Sequence, residues 1–153
     1  MNNLIKNKFQ LIFDQDKDLE ALKLDIISVS LPSVSFSSIT STHKGSIKVK
    51  RAGDDVEFGS LEIKFKLDEE MNHYETILGW IFDMANPKTG TYKARYVPAS
   101  LLMYYPNGSL LREIKFMNIF PTSLSEVTFS SNTIDTEYQE VIVNFMFDYF
   151  EVV

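Results

Sequence analysis

The stretch DTEYQEVIVNFMFDYFEVV, Asp135 to Val153, points most directly to the fold. Taken two residues at a time, Val141, Val143, Phe145, Phe147 and Tyr149 line up as an apolar face, the pattern of a strand with one side in a core. The alternate positions are mixed: Ile142, Met146 and Phe150 share that side with Glu140, Asn144 and Asp148. One sheet face inside a small monomer accounts for the odd positions but not for Ile142, Met146 and Phe150. A straight strand of this length would also reach roughly 50 Å, far beyond the usual five or six residues, unless it bends or breaks.

The same alternation recurs upstream. SLEIKFKL sets Leu61, Ile63, Phe65 and Leu67 against Glu62, Lys64 and Lys66, and SIKVKR sets Ile47 and Val49 against Lys48 and Lys50. Both read as half-buried antiparallel strands, with AGDD, Ala52 to Asp55, as the turn after the second. Phe9 to Phe13 and Leu22 to Val29 read as a hairpin joined by the charged segment DQDKDLE. Between them and SIKVKR lies SLPSVSFSSITSTHKGS, Ser30 to Ser46, either a surface loop or a long loop that orders only against a neighbouring subunit.

One segment has a helical period. Met71, Tyr74, Leu78, Ile81 and Ala85 recur at spacings of three and four after a candidate N-cap, Asp68, with Glu69 and Glu70 where a helix dipole favours anions. Asn86-Pro87 stops it. Gly79 in its middle suggests close packing. TYKARYV and ASLLMYY then read as one strand broken near Pro98 or as two. The turn Pro106-Asn107-Gly108 folds LLREIKFMNIF back on them, and a bend at Phe120-Pro121-Thr122 follows.

The chain has 153 residues, enough for one domain that buries roughly 70% of its unfolded surface. With 12 Phe and 7 Tyr it predicts an aromatic-rich core. No apolar run approaches the length of a membrane helix, and MNNLIKNKF lacks the features of a signal peptide, so cytoplasmic folding is expected. The absence of Cys removes disulfides, thiolate nucleophiles and Cys-ligated zinc. A net charge of −6 disfavours tight nucleic-acid binding, which needs basic surface, but suits a surface that DNA slides past.

No constellation announces chemistry. His43 and His73 sit in no metal-ligand spacing, the glycines form no phosphate-cradling loop, and Asp54, Asp55 and Glu57 read as turn acids rather than a Mg²⁺ site. TYKARY interleaves aromatic and basic residues, but strand alternation explains it without base stacking. An enzyme is therefore not expected, and neither is a cofactor or a metal. What stands out is the amount of strand with two semi-apolar faces, which another copy of the chain would shelter.

IKVKRAGDDVEFGSLEIKFKLDEE, Ile47 to Glu70, resembles the segment of contractile-phage tail tube proteins that runs from a strand through an Ala-Gly-Asp turn and an alternating strand to an acidic helix start. FMNIFPTSLSEVTFSSNTIDTEYQEVIVNFMFDYFEV, Phe116 to Val152, resembles their C-terminal half. NKFQLIF and SLPSVSF keep the same order, so the resemblance covers nearly the whole chain. It implies a mainly β domain, sandwich- or barrel-like, with one flanking helix: the tail-tube/Hcp-like fold, here one domain over 1–153 with an extended inter-ring loop at about 33–53.

The function implied is structural. Hexameric rings would stack into a tube inside a contractile sheath, hold the tape measure protein and later pass DNA without specific binding. Further partners would be a baseplate tube initiator and a tail terminator, with assembly in the host bacterial cytoplasm and residence in the virion tail. Tailocins, extracellular injection systems and type VI secretion use related tubes, and a tube-initiating baseplate paralogue is a further reading. Expected contacts between subunits or rings are Ser35, Phe36, Ile39, His43, Ile47, Val49, Arg51 and Asp54 around the loop, and Ile142, Met146 and Phe150 on the terminal strand. The competing classes are a β-module that binds nucleic acid or protein as a stable monomer, and an enzyme with a concave polar pocket.

Overall fold

The computed structural model describes residues 9–14, 19, 22, 24, 26–42, 47–129 and 139–153. Its strands are β1 (Phe9–Phe13), β2 (Ile26–Ser30), β3 (Val34–Thr42), β4 (Lys48–Phe58), β5 (Leu61–Lys66), β6 (Val97–Tyr104), β7 (Leu110–Leu124), β8 (Glu140–Met146) and β9 (Tyr149–Val152). Helix α1 (Asn72–Met84) lies between β5 and β6. The main sheet is seven-stranded in the order β1-β6-β7-β8-β5-β2, with β9 beside β7, while β3 and β4 form a separate two-stranded ribbon. Among the described residues every strand pairing is antiparallel.

Alternation locates the core strands well. Leu61, Ile63 and Phe65 of β5 and Val141, Val143 and Phe145 of β8 are all fully buried, and the two strands pair directly, Ile63 opposite Val143. The Phe13 ring of β1 meets Phe145 of β8 at 5.9 Å although the two strands are not neighbours. The sheet therefore curls until its two halves face each other across one aromatic core. This is a mainly β arrangement with one helix, as the alternating segments and the single helical period predict, and its curl agrees with the sandwich- or barrel-like form that the resemblance implies.

Partner choice differs from expectation at the start of the chain. β1 pairs with β6 and β2 with β5, so the predicted hairpin between them does not form. Of its turn, Asp14 to Glu20, residues 15–18 and 20 lie outside the described residues. The β6–β7 hairpin does form. Gly108 closes it at φ 90, the Gly108 amide donates to the Tyr105 carbonyl at 2.9 Å, and the Tyr105 amide donates to the Ser109 carbonyl at 2.8 Å. TYKARYV contributes only the bridge from Tyr92 to Ala85 before Val97 opens β6.

β7 is the longest of these strands and serves both halves of the sheet. One edge pairs with β6, and the other runs beside β9 at Ile114–Met117 and then beside β8 from Phe120 onward. Phe120-Pro121-Thr122 is not a bend out of the sheet: the strand continues, and a register shift between Pro121 and Ser123 absorbs the proline that cannot donate to a ladder. β8 and β9 follow one another along β7 and are interrupted at Phe147-Asp148. Opposite that break Asn118 adopts φ 56, its side-chain amide donates to Asp148 Oδ2 at 2.6 Å, and the Asp148 amide donates to the Met117 carbonyl at 2.9 Å. Asn is among the few residues that enter the left-handed region at low cost.

The break reverses which positions face inward. Phe147 is buried, but Tyr149 is 49% exposed and Phe150 turns in against Phe116, Phe147 and Phe58 instead. The expectation that Tyr149 continues the buried face is thus corrected, because two strands kink together at the Asn118–Asp148 pair.

Helix α1 is present but rotated from its expected face. Ile77 and Trp80 are its buried residues, with Tyr74, Ile81 and Met84 beside the core, whereas Ala85 is exposed. Trp80 packs edge-on to Phe13 at 5.5 Å and lies 6.2 Å from Phe145, and its indole N–H donates to the Arg95 carbonyl at 3.1 Å. Asp68 does accept from the Asn72 amide at 3.0 Å, although a left-handed Met71 delays the first helical residue beyond Glu69 and Glu70. Gly79 faces open space, with nothing within 4 Å of where a Cβ would stand. Close packing is therefore not its reason. Gly79→Ala is expected to stabilise the isolated subunit by about 0.5–1 kcal/mol, measured as a rise in the urea midpoint at unchanged slope.

Candidate assembly surface

The Ser-rich segment is not a structureless loop. Val34–Thr42 forms β3 and pairs with β4 along nearly its whole length, and AGDD lies within β4 rather than turning the chain. Turn-type residues stand there because the ladder is irregular: it runs from Phe36 opposite Val56 to Ser38 opposite Ala52, leaving Gly53, Asp54 and Asp55 across from Ser37 alone. The Ser37 hydroxyl fills the hollow of this bulge and accepts from the Asp55 amide at 3.0 Å. A Cβ on Gly53 would collide with that hydroxyl and come within 2.9 Å of the Ser37 carbonyl. Only glycine fits here without a local shift.

The β3–β4 ribbon is an arm attached at its root. Phe58 packs at 5.6 Å from Phe147 and 5.3 Å from Phe150, and the Gly59 amide donates to the Ser33 carbonyl at 2.8 Å. Beyond the root the apolar side chains lose cover: Val34, Phe36, Ile39, Ile47 and Val56 are 49–67% exposed. A two-stranded ribbon by itself is marginal in water, and an arm presenting this much apolar surface is a candidate contact surface.

Charge is segregated along the arm. Lys48, Lys50 and Arg51 stand exposed on the far side of the bulge, and Asp54, Asp55 and Glu57 stand exposed at the bulge and toward the root. Among the described residues no ion pair joins the two groups. Of the expected contact residues, Ser35, Phe36, Ile39, Ile47, Val49, Arg51 and Asp54 all fall on this arm, with Val49 half-buried opposite Ser41. His43 lies outside the described residues. Sequence reasoning misses Val34, Val56, Lys48 and Lys50 as members of this surface. A signal for the first two exists: the like patterns VSF and VEF pair antiparallel, Val34 opposite Phe58 and Phe36 opposite Val56.

The second group is separate. Ile142 and Met146 are half-buried on the outer face of β8, and Phe150 belongs to the aromatic cluster that anchors Phe58. The helix does not cover that outer face, since Trp80 reaches Phe145 from the other side of the sheet. Ile142 and Met146 share it with Asn144, which donates to Ser123 Oγ at 2.9 Å, and with the ion pair of Lys64 and Glu140 at 3.4 Å. It is a polar face with two apolar side chains in it.

Among the described residues no His, Asp and Glu side chains group in a way that could hold a metal ion. A hollow of about 430 Å³ is lined by Asp83, Lys93, Ala94 and Arg95, but Arg95 is already bonded to Asp83 at 3.2 Å.

No family model matches the sequence, and no curated protein matches it. Solved structures do. A chain from the sheath/tube terminator of the extracellular contractile injection system PVC is 16% identical, with 96% of this chain and 94% of that one covered at a TM-score of 0.71. A chain from the tube-terminating cap of the anti-feeding prophage is 15% identical over 95% of this chain and 87% of that one, also at 0.71. Hcp1 from Salmonella typhimurium is 15% identical over 93% of this chain and 82% of that one, at 0.56. At these identities the likeness is one of fold, and the fold is the tail-tube/Hcp-like one.

Proposed function

We propose, from the tail-tube fold, that this chain is the structural subunit of a contractile tail tube. Copies close into hexameric rings, rings stack, and the bore becomes a conduit for a phage genome. The observation that carries this reading is the arm, with Val34, Phe36, Ile39, Ile47 and Val56 held out in solvent on a subunit whose core strands bury their apolar face. The segment at about 33–53 is then the contact from one ring to the next. The sheath, the tape measure protein, a baseplate initiator and a terminator are the other partners, the tail is the site of residence, and the host cytoplasm is where the parts assemble. An overall charge of −6 suits a wall that releases DNA rather than retaining it.

A second reading, a terminator or initiator ring of a related injection system, draws on the match to a chain from the structure of a sheath/tube terminator, covering 94% of that chain. Negative-stain microscopy of the concentrated purified protein separates the two. Hollow rods are expected of a tube subunit, and single rings that never lengthen would identify a terminating or initiating one. A monomer at every concentration would overturn both.

A further inference from the structure

The arm carries a charge pattern that repeats on displacement. Moving along β4 from Lys48 by six positions reaches Asp54, and from Arg51 by six positions reaches Glu57. An even displacement returns a strand residue to the face it left. Across the bulge the alternation resumes: Phe36 and Ser38, two apart on β3, face Val56 and Ala52, four apart on β4, so Glu57 keeps the face of Arg51, while Asp54 lies in the bulge itself. One shift of roughly 20 Å therefore brings Arg51 onto Glu57 on a matching face and Lys48 to the bulge that holds Asp54.

Within a single arm the bulge held by Ser37 and Gly53 stands between the two groups of charges. All of them are exposed, and among the described residues no ion pair engages Lys48, Lys50 or Arg51. The complement of the basic end is the acidic root of another arm. Such a contact is heterologous, since each copy offers its basic end to one neighbour and its root to the next, and a contact of this type propagates in one direction.

We propose that the arms of successive copies overlap with the basic end of one on the root of the next, Lys48 and Arg51 of one copy against Asp54 and Glu57 of its neighbour. The partner is a second copy of this chain. Charge sets the register of the overlap, while Phe36 and Val56 on one face of the arm and Ile39 on the other supply apolar surface for it to bury. The inference rests on the tube reading and gives it a direction of growth.

The test is a charge exchange. A chain carrying Lys48→Glu, Lys50→Glu and Arg51→Glu is expected to form rods at least about tenfold less abundantly than wild type, because carboxylates would face carboxylates at each overlap. A chain carrying Asp54→Lys, Asp55→Lys and Glu57→Lys is expected to fail in the same way. Both should keep the wild-type thermal melt as subunits. Mixing the two chains, or combining all six substitutions in one, restores opposite charges at the overlap and is expected to recover rods. Rods of wild-type abundance from either triple variant, or no recovery on combination, would overturn the overlap and leave the tube reading standing. Failure of the wild-type chain to form rods would remove both.

Discussion

Trp80→Ala is expected to cost the isolated subunit about 3–5 kcal/mol, lowering its melting temperature by roughly 10 °C in a calorimetric scan. Trp80 is 1% exposed and joins the helix to both halves of the curled sheet through Phe13 and Phe145. Truncation leaves a cavity at that junction and strips the Arg95 carbonyl of its donor. Trp80→Phe separates the two losses: it keeps an aromatic body and removes the hydrogen bond, so it should fall between wild type and alanine. A Trp80→Ala melt indistinguishable from wild type would mean that the helix is dispensable to the core.

The second large effect should appear only in assembly. Phe36→Glu combined with Ile39→Glu places two carboxylates on the arm where side chains are 56% and 59% exposed. The monomer has little to lose, and a change of less than about 0.5 kcal/mol in unfolding free energy is expected. A contact that buries those side chains against another copy would instead have to desolvate two charges, and rods should vanish at concentrations where wild type forms them. The two variants are expected to dissect the molecule: Trp80→Ala should weaken the subunit, while the arm variant should spare it and block the proposed polymerisation. Rods from the arm variant would show that the arm is not a contact.

Much of the fold is legible in the residues. Val141, Val143, Phe145 and Phe147 read as core and are core, because a period of two over β-branched and aromatic residues is the mark of a strand buried on one side. Helix α1 is visible as an element, but its face is not. Met71, Leu78 and Ala85 compete with Ile77, Trp80 and Met84 for the apolar stripe, and tertiary contacts to Phe13 and the Arg95 carbonyl decide between them. The partners of β1 and β2 are hidden for a different reason: pairing with β6 and β5 is long-range, whereas nearness in sequence suggests a hairpin.

The assembly surface is half legible. Phe36, Ile39 and Ile47 stand out as apolar residues in a segment with the composition of a loop, yet Ala52 to Asp55 has the composition of a turn and gives no sign that a strand runs through it. A Gly needed for close approach to Ser37 and a Gly needed for a turn look the same in one dimension. The reversal after Asp148 is equally silent, since Asp148 obeys the alternation that it ends.

β7 belongs to both halves of the sheet, holding β6 along one edge and β9 then β8 along the other. Mechanical load entering at either end of this strand passes into the ladders of both halves. If the chain is the tube subunit proposed above, each subunit of the wall has its two halves tied together by one continuous strand.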